Sequence, residues 1–297
     1  MLGMGRRQLS IPNYISHDLT TPMPELGGEP FDVVVHSAAK VSPWGKRVDF
    51  VRNNVEATQH VLDYCIQHGL PKLIFISSPS VYYKAEHQLN LTEESPLPEK
   101  FFNAYAETKR AAELLVEQYP GEWAILRPRA VFGPGDTVLL PRLLLAARAG
   151  RLPLLIPRDG PVVGDLIYIE NLTDAILKTA TDPAITGTYN LTNNEPVAIL
   201  EFLLDILKQL DFPIPQRRVS VGRAMAVAWA IEKFFSCFLP NREPLITRFG
   251  VHLFAYSKTF DVSKMLRDLG TPRVSVAEGV KETVAWVKGG GLSLSPN

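Results

Sequence analysis

Cysteine is nearly absent from this chain. Only Cys65 and Cys237 occur, far apart in sequence. That excludes a disulfide framework or a zinc cluster and suits a reducing compartment. A charge excess of either sign is also lacking, because 31 Lys and Arg residues balance 31 Asp and Glu. Nothing in that total points to nucleic acid or to an acidic membrane. No uncharged apolar run reaches the length of a transmembrane span. The first residues, MLGMGRRQLSIPN, carry basic side chains with no apolar stretch behind them, unlike a secretory signal. A soluble cytoplasmic protein is the expectation.

What is present is ample apolar material. Hydrophobic residues make up 46% of 297, enough for a large core, and the length predicts about two domains, or one α/β unit with an added lobe. The β-branched run at residues 31–36 is short enough only for a buried strand. It ends in Ser37-Ala38-Ala39, small residues that let backbone approach a flat ligand. Between residues 51 and 69 the apolar positions recur at helical spacing, until Gly69-Leu70-Pro71 stops the helix. A strand at 73–77, a helix at 103–118 and a strand at 123–126 follow. This alternation is the signature of a parallel sheet covered on both faces, whose ligands sit at the carboxyl ends of the strands.

Further on, the pattern predicts a leucine-rich helix at 139–149 and a short strand at 165–169. Asn171 then caps a helix running to residue 180. A strand at 187–191 and an amphipathic helix at 198–210 come next. Residues 224–239 are notably apolar. They suit a core helix, the wall of a lipophilic pocket, or a helix lying on a membrane surface. Ser275 and Glu278 form a capping box for a helix through residue 286, and residues 289–297 read as a frayed tail.

Tyr105 and Lys109 stand four apart, so on a helix they share a face. A serine at the end of the preceding strand, Ser78, with Ser77 or Ser80 as the rival, would stand opposite such a pair. Together these groups can move a proton to or from an alcohol or ketone oxygen.

Six motifs occur in a telling order: Val35-His-Ser-Ala-Ala39, Asn53-Asn-Val55, Ser77-Ser-Pro-Ser-Val-Tyr82, Tyr105-Ala-Glu-Thr-Lys109, Arg127-Pro-Arg-Ala-Val-Phe-Gly-Pro-Gly-Asp136 and Asp165-Leu-Ile-Tyr-Ile-Glu-Asn-Leu172. Their order resembles that of the extended short-chain dehydrogenases within the epimerase/dehydratase superfamily. The 127–136 form is most similar to the 3β-hydroxysteroid dehydrogenase branch, and Phe260-Asp-Val-Ser-Lys264 with Leu269-Gly270 matches its late segment. The resemblance spans roughly residues 14–288.

The resemblance implies a Rossmann-like doubly wound α/β sheet with a smaller carboxyl-terminal substrate lobe. Residues 1–155 would bind NAD or NADP, residues 156–288 would complete the sheet and form the lobe, and residues 289–297 would be tail. It also implies roles. Tyr105 is the general acid/base, and Lys109 favours its phenolate and holds the nicotinamide ribose. Ser78 fixes the reacting oxygen. Asn54 stands behind the lysine, with an ordinary helix cap as the rival reading. Asp18 and Leu19 meet the adenine, Ala38, Ala39, Lys40 and Ser77 line the cofactor, and Pro128 and Val131 reach the nicotinamide. No metal site is implied. The implied activity is an NAD(P)-dependent interconversion of a secondary alcohol and a ketone on a sterol-like or other lipophilic substrate. A sugar-nucleotide epimerase or dehydratase and a non-catalytic pseudoenzyme stand as alternatives. A homodimer and peripheral membrane contact are compatible with the sequence, whereas a nucleic-acid partner is not expected.

The chain departs from the family at its amino terminus. The family opens with a strand and a Gly-x-x-Gly-x-x-Gly turn whose backbone N–H groups hold the cofactor pyrophosphate, and no such turn precedes Asp18. Residues 2–7 instead match the end of the family's second strand. Arg6 or Arg7 then falls where a 2′-phosphate is bound, which favours NADP. The expectation is a domain lacking its first strand and helix. It follows either from a coding region that continues upstream or from a chain with weak dinucleotide affinity.

Overall fold

The β-branched run before the small residues forms the strand Val33–His36, and the apolar run after Pro71 forms Lys72–Ile76. A computed structural model describes residues 1–28, 30–138, 140–157, 160–240, 242–244 and 246–292. Leu139 and residues 293–297, parts of the expected 139–149 helix and of the tail, lie outside the described residues. By its internal contacts the chain divides into two units. One comprises residues 1–83, 97–127 and 178–189, the other residues 84–96, 128–177 and 190–297. The division is interleaved along the chain.

In the first unit Val33–His36 pairs in parallel with Lys72–Ile76, which pairs in parallel with Trp123–Pro128. Gly187–Leu191 lies beyond Trp123–Pro128 and completes a four-stranded sheet. Each parallel step is bridged by helical chain, as parallel pairing requires. Leu73, Phe75 and Ile125 from the strands meet Val61, Leu62, Cys65, Ala112 and Val116 from the helices in one buried cluster. The helix Ala104–Val116 begins where Asn103 accepts a hydrogen bond from the N–H of Ala106 at 2.9 Å, an N-cap that satisfies one otherwise orphaned donor.

Val33–His36 is an edge strand. Among the described residues nothing pairs with its free side, where Val35 is 43% exposed. Gly3–Gly5 pairs in parallel with Tyr14–Ser16 as a separate two-stranded sheet. Among the described residues no helix precedes Arg47.

The second unit is built on a larger buried cluster that includes Phe132, Leu144, Leu166, Tyr168, Leu203, Leu207 and Val280. Val131–Phe132 pairs in parallel with Ile167–Tyr168. Gly133 turns at φ +141°, and a Cβ there would stand 2.4 Å from Ile169 Cγ2, so only glycine fits this close approach. Two expectations are corrected in this unit. The strand at 165–169 shrinks to Ile167–Tyr168, because Asp165 turns its carboxylate to the N–H of Phe260 and the helix already starts at Ile169. Asn171 lies inside the helix Ile169–Thr181 and caps nothing. Its buried amide donates to the carbonyl of Val274 at 2.7 Å and to Asn193 at 2.9 Å. The capping box of Ser275 and Glu278 is formed as expected, opening the helix Val276–Lys288.

Candidate active site

The candidate site grows from the carboxyl end of Lys72–Ile76. Ser77 and Ser78 follow that strand, and Ser78 caps the short 3-10 helix Pro79–Tyr82 by accepting from the N–H of Ser80 at 3.2 Å. The cap fixes the backbone of Ser78, which stands near enough to Tyr105, in the first turn of Ala104–Val116, to favour its phenolate. Strand end and helix start thus meet in one serine–tyrosine pair.

Lys109, one turn further along the helix, is 1% exposed. Its ammonium donates to the carbonyl of Ile76 at 2.7 Å and stands 4.0 Å from the ring centroid of Phe75. Burial pulls its pKa down to about 7, while Glu113, another turn along, pushes it up. Tyr105 moves the other way from the sequence expectation: burial raises its pKa, and only Ser78 counters that. Lys109 is turned to the strand carbonyl.

Asn54 is 1% exposed and lies in a π-helical segment, Val51–Glu56, between two α-helical stretches. Inserted residues of this kind recur at functional sites. Its amide accepts from the N–H of Lys40 at 2.7 Å and donates to Thr108 Oγ1 at 3.0 Å. Asn54 therefore caps no helix. It ties the loop after Val33–His36 to the residue just before Lys109.

Behind these groups lies an ion pair that the sequence reading missed. Glu113 is fully buried and accepts from both Arg127 Nε at 2.8 Å and Arg127 Nη2 at 2.7 Å. It also accepts from the Ser77 hydroxyl at 2.5 Å, and Arg127 donates to the hydroxyl of Tyr82. The signal was there: Glu113 continues the Tyr105–Lys109 stripe at the same four-residue spacing, and Arg127 interrupts an apolar strand. His36 is buried beside Lys109, its Nε2 hydrogen-bonded to Thr58 Oγ1 at 3.0 Å, and burial takes its pKa down to about 3.

The remaining predicted residues are placed as follows. Ala38 is exposed and Ala39 and Lys40 are half-buried, just past the strand end. Lys40 also reaches Asp49 at 3.4 Å. Asp18 is exposed and accepts from the N–H of Thr20, and the carbonyl of Leu19 is hydrogen-bonded to His60 at 2.8 Å. Pro128 and Val131 belong to the second unit, Pro128 buried and Val131 half-buried. Ser77 spends its hydroxyl on Glu113. The two serines thus divide their tasks, with Ser78 alone turned to Tyr105.

The family whose model matches is described as the NAD dependent epimerase/dehydratase family, over residues 18–192. The chain belongs to that family. A 3beta-hydroxysteroid-dehydrogenase/decarboxylase isoform 1 of Arabidopsis thaliana is 33% identical over 289 residues, 91% of this chain and 66% of that protein. A 2-alkyl-3-oxoalkanoate reductase of Shewanella oneidensis is 32% identical, covering 86% of this chain and 70% of its own length. The chain spans less than two thirds of the Arabidopsis isoform 1, and 48% of its isoform 2. Among solved structures, MoeE5 in complex with UDP-glucose and NAD superposes with a TM-score of 0.71 at 22% identity, covering 97% of this chain and 90% of that one. That likeness establishes the fold, an α/β parallel sheet of the Rossmann kind.

An NAD-type cofactor can be tested against these residues. Tyr105, Ser78 and Lys109 lie at one strand end, and these are the residues that would hold a nicotinamide ribose. Two orphaned buried groups stand close by in sequence, Ser80 Oγ two residues after Ser78 and Asn103 Nδ2 two before Tyr105. Such groups call for a polar partner. The phosphate-holding side has no counterpart among the described residues, where no glycine turn opens a helix ahead of Val33.

Proposed function

We propose that the chain is an NAD(P)-dependent oxidoreductase that interconverts a secondary alcohol and a ketone on a lipophilic substrate. The observation that carries the proposal is the Ser78–Tyr105 pair at the strand end, with Lys109 buried one turn on. The nicotinamide, when bound, supplies or accepts the hydride. Tyr105 gives its proton to the substrate oxygen in reduction and takes it back in oxidation, and Ser78 holds that oxygen in place. Lys109 holds the ribose hydroxyls and supplies the positive charge, while Asn54 keeps Thr108, and with it the lysine, in register. Arg6 and Arg7 are exposed just past Gly3–Gly5, which favours NADP over NAD in this proposal.

The lipophilic substrate is supported from the second unit. There a cavity of about 80 Å3 is walled by apolar side chains that include Phe132, Leu143, Phe202, Ile206 and Phe254. Whole-ligand pockets run to roughly 300–1,000 Å3, so this cavity suits one apolar branch of a larger substrate. The names of the plant and bacterial relatives, a steroid dehydrogenase and an oxoalkanoate reductase, point the same way.

The test is a fluorescence titration of the purified chain with NADH and NADPH, followed by turnover assays with a 3β-hydroxysteroid, a 2-alkyl-3-oxoalkanoate and UDP-glucose. The proposal expects micromolar dinucleotide binding and turnover of one of the two lipids. Turnover of the nucleotide sugar alone would transfer the chain to the epimerases, and a chain that binds neither dinucleotide would be a pseudoenzyme.

A further inference from the structure

The apolar segment at 224–239 forms the helix Val221–Phe238, most of which is not buried. Only Ala224 and Ala228 are buried along its 18 residues. They pack with Leu155 and Val251, and Met225 and Phe254 close the same small cluster. Small residues on that face let the helix lie close to its support. About a quarter-turn round the helix from that buried face, Arg223, Val227, Ala230, Phe234 and Phe238 follow one another at spacings of three and four, so they form a single stripe.

That stripe is open. Val227 is 51% exposed, Phe234 53% and Phe238 71%. Phe234 and Phe238 touch, ring centroids 5.1 Å apart, so the aromatic patch is continuous. A helix that is apolar on both faces needs cover on the second face as well, and contiguous exposed patches of this kind mark interaction sites. Among the described residues no helix is long and apolar enough to cross a membrane, so a helix lying along a surface is the geometry to consider.

Charge decides what covers it. The balanced total for the chain hides a local excess. Residues 217–248 hold six basic side chains, Arg217, Arg218, Arg223, Lys233, Arg242 and Arg248, against two acidic ones, Glu232 and Glu243. Both acids are already neutralised, Glu232 by Arg248 at 2.6 Å and Glu243 by Arg142 at 2.7 Å. The other five basic residues are all exposed. Arg223 stands at the start of the stripe, Arg242 just beyond its end, and Lys233 on its flank. A second copy docked by a two-fold axis would bring these like charges together. An anionic bilayer would attract them, with the aromatic rings entering at headgroup depth.

We propose that Val221–Phe238 is an interfacial membrane helix, seating the second unit on an anionic lipid surface through Val227, Phe234 and Phe238. The helix is about 27 Å long at 1.5 Å per residue, and the stripe runs from its first turn to its last. Phe254 packs against the cluster that supports this helix and also lines the apolar cavity. The membrane-facing helix and the cavity therefore share a wall, which suits an alkyl chain arriving from lipid.

The experiment is flotation of the full chain with vesicles of phosphatidylcholine alone or with phosphatidylserine added, at low and high salt. It needs neither cofactor nor turnover, so it stands or falls apart from the proposed activity. The expected result is binding to the phosphatidylserine vesicles that weakens with salt. Phe234→Ser with Phe238→Ser should lower it at least about tenfold, the equivalent of 1.4 kcal/mol. Arg223→Glu with Lys233→Glu should abolish the preference for phosphatidylserine. Both pairs are exposed, so unchanged circular dichroism and melting confirm that the variants fold. No vesicle binding by the unaltered chain, or binding that both double variants retain, would overturn the proposal. So would a concentration-dependent dimer that the phenylalanine variant dissolves, since a second copy would then be the occupant.

Discussion

Glu113 and Arg127 face each other in the first unit as a two-point ion pair, with the carboxylate fully buried and the guanidinium 4% exposed. A pair so enclosed is costly to break from one side, because the surviving charge keeps its desolvation penalty and loses its partner. Glu113 also carries Ser77 and sits one turn from Lys109, so its loss reaches the strand end that presents Ser78.

The expected result follows from that geometry. Glu113→Leu alone, or Arg127→Met alone, should each destabilise the fold by about 3–5 kcal/mol. The two together should cost much less than the sum of the single changes. Urea unfolding of the three variants against the unaltered chain measures the coupling directly. Additive losses would show that the pair is not the unit described.

Asn54 should behave as a positioning residue. Asn54→Ala removes the acceptor for the N–H of Lys40 and the donor to Thr108, at a cost of about 1–3 kcal/mol for the buried group left unpaired. Turnover should fall by more than the stability loss explains, with the larger effect on kcat than on KM. Asn54→Asp restores the acceptor but not the donor, so it should recover only part of the rate. Equal activity in Asn54→Ala would remove the residue from the site.

His36 gives a pH signature. Its folded pKa is lowered to about 3 against 6.5 ordinarily, so between those values the unfolded chain binds one more proton than the folded one. Stability then rises with pH across that window and is lost as the pH falls from about 6.5 toward 3, by at most about 1.4 kcal/mol per pH unit for one proton. Asp165, raised to about 6 by burial, opposes this between 3.8 and 6, where stability from that group falls as pH rises. His36→Phe should flatten the acid limb of a denaturation series and Asp165→Asn should steepen it. An acid limb unaffected by His36→Phe would contradict the assignment.

The fold was largely legible in the sequence, and the reason is local. Strands such as Val33–His36 and helices such as Ala104–Val116 announce themselves by apolar period and by a cap, both short-range signals. What stayed hidden depends on distant partners. The π segment around Asn54 escapes notice because apolar residues recur at three and four whether or not one residue is inserted. Asn171 reads as a cap until Val274, 103 positions away, takes its amide. The 224–239 segment is apolar on every side, so its sequence does not say which side the protein covers. In the candidate site the Tyr105–Lys109 stripe and Ser78 were readable from spacing and motif order. The Glu113–Arg127 pair left only separate traces, a glutamate continuing the stripe and an arginine interrupting an apolar strand, and neither says that the two are buried against each other.

Tyr105→Phe tests the central claim most directly. The rate of NAD(P)H oxidation with the ketone substrate is measured for both chains, together with dinucleotide affinity by fluorescence. The change removes one hydroxyl and leaves the ring in place. Turnover should therefore fall by about 10²–10⁴, the range a positioned general acid supplies, while dinucleotide affinity stays the same. A phenylalanine variant that reduces the ketone at the unaltered rate would contradict the assignment of the proton to Tyr105.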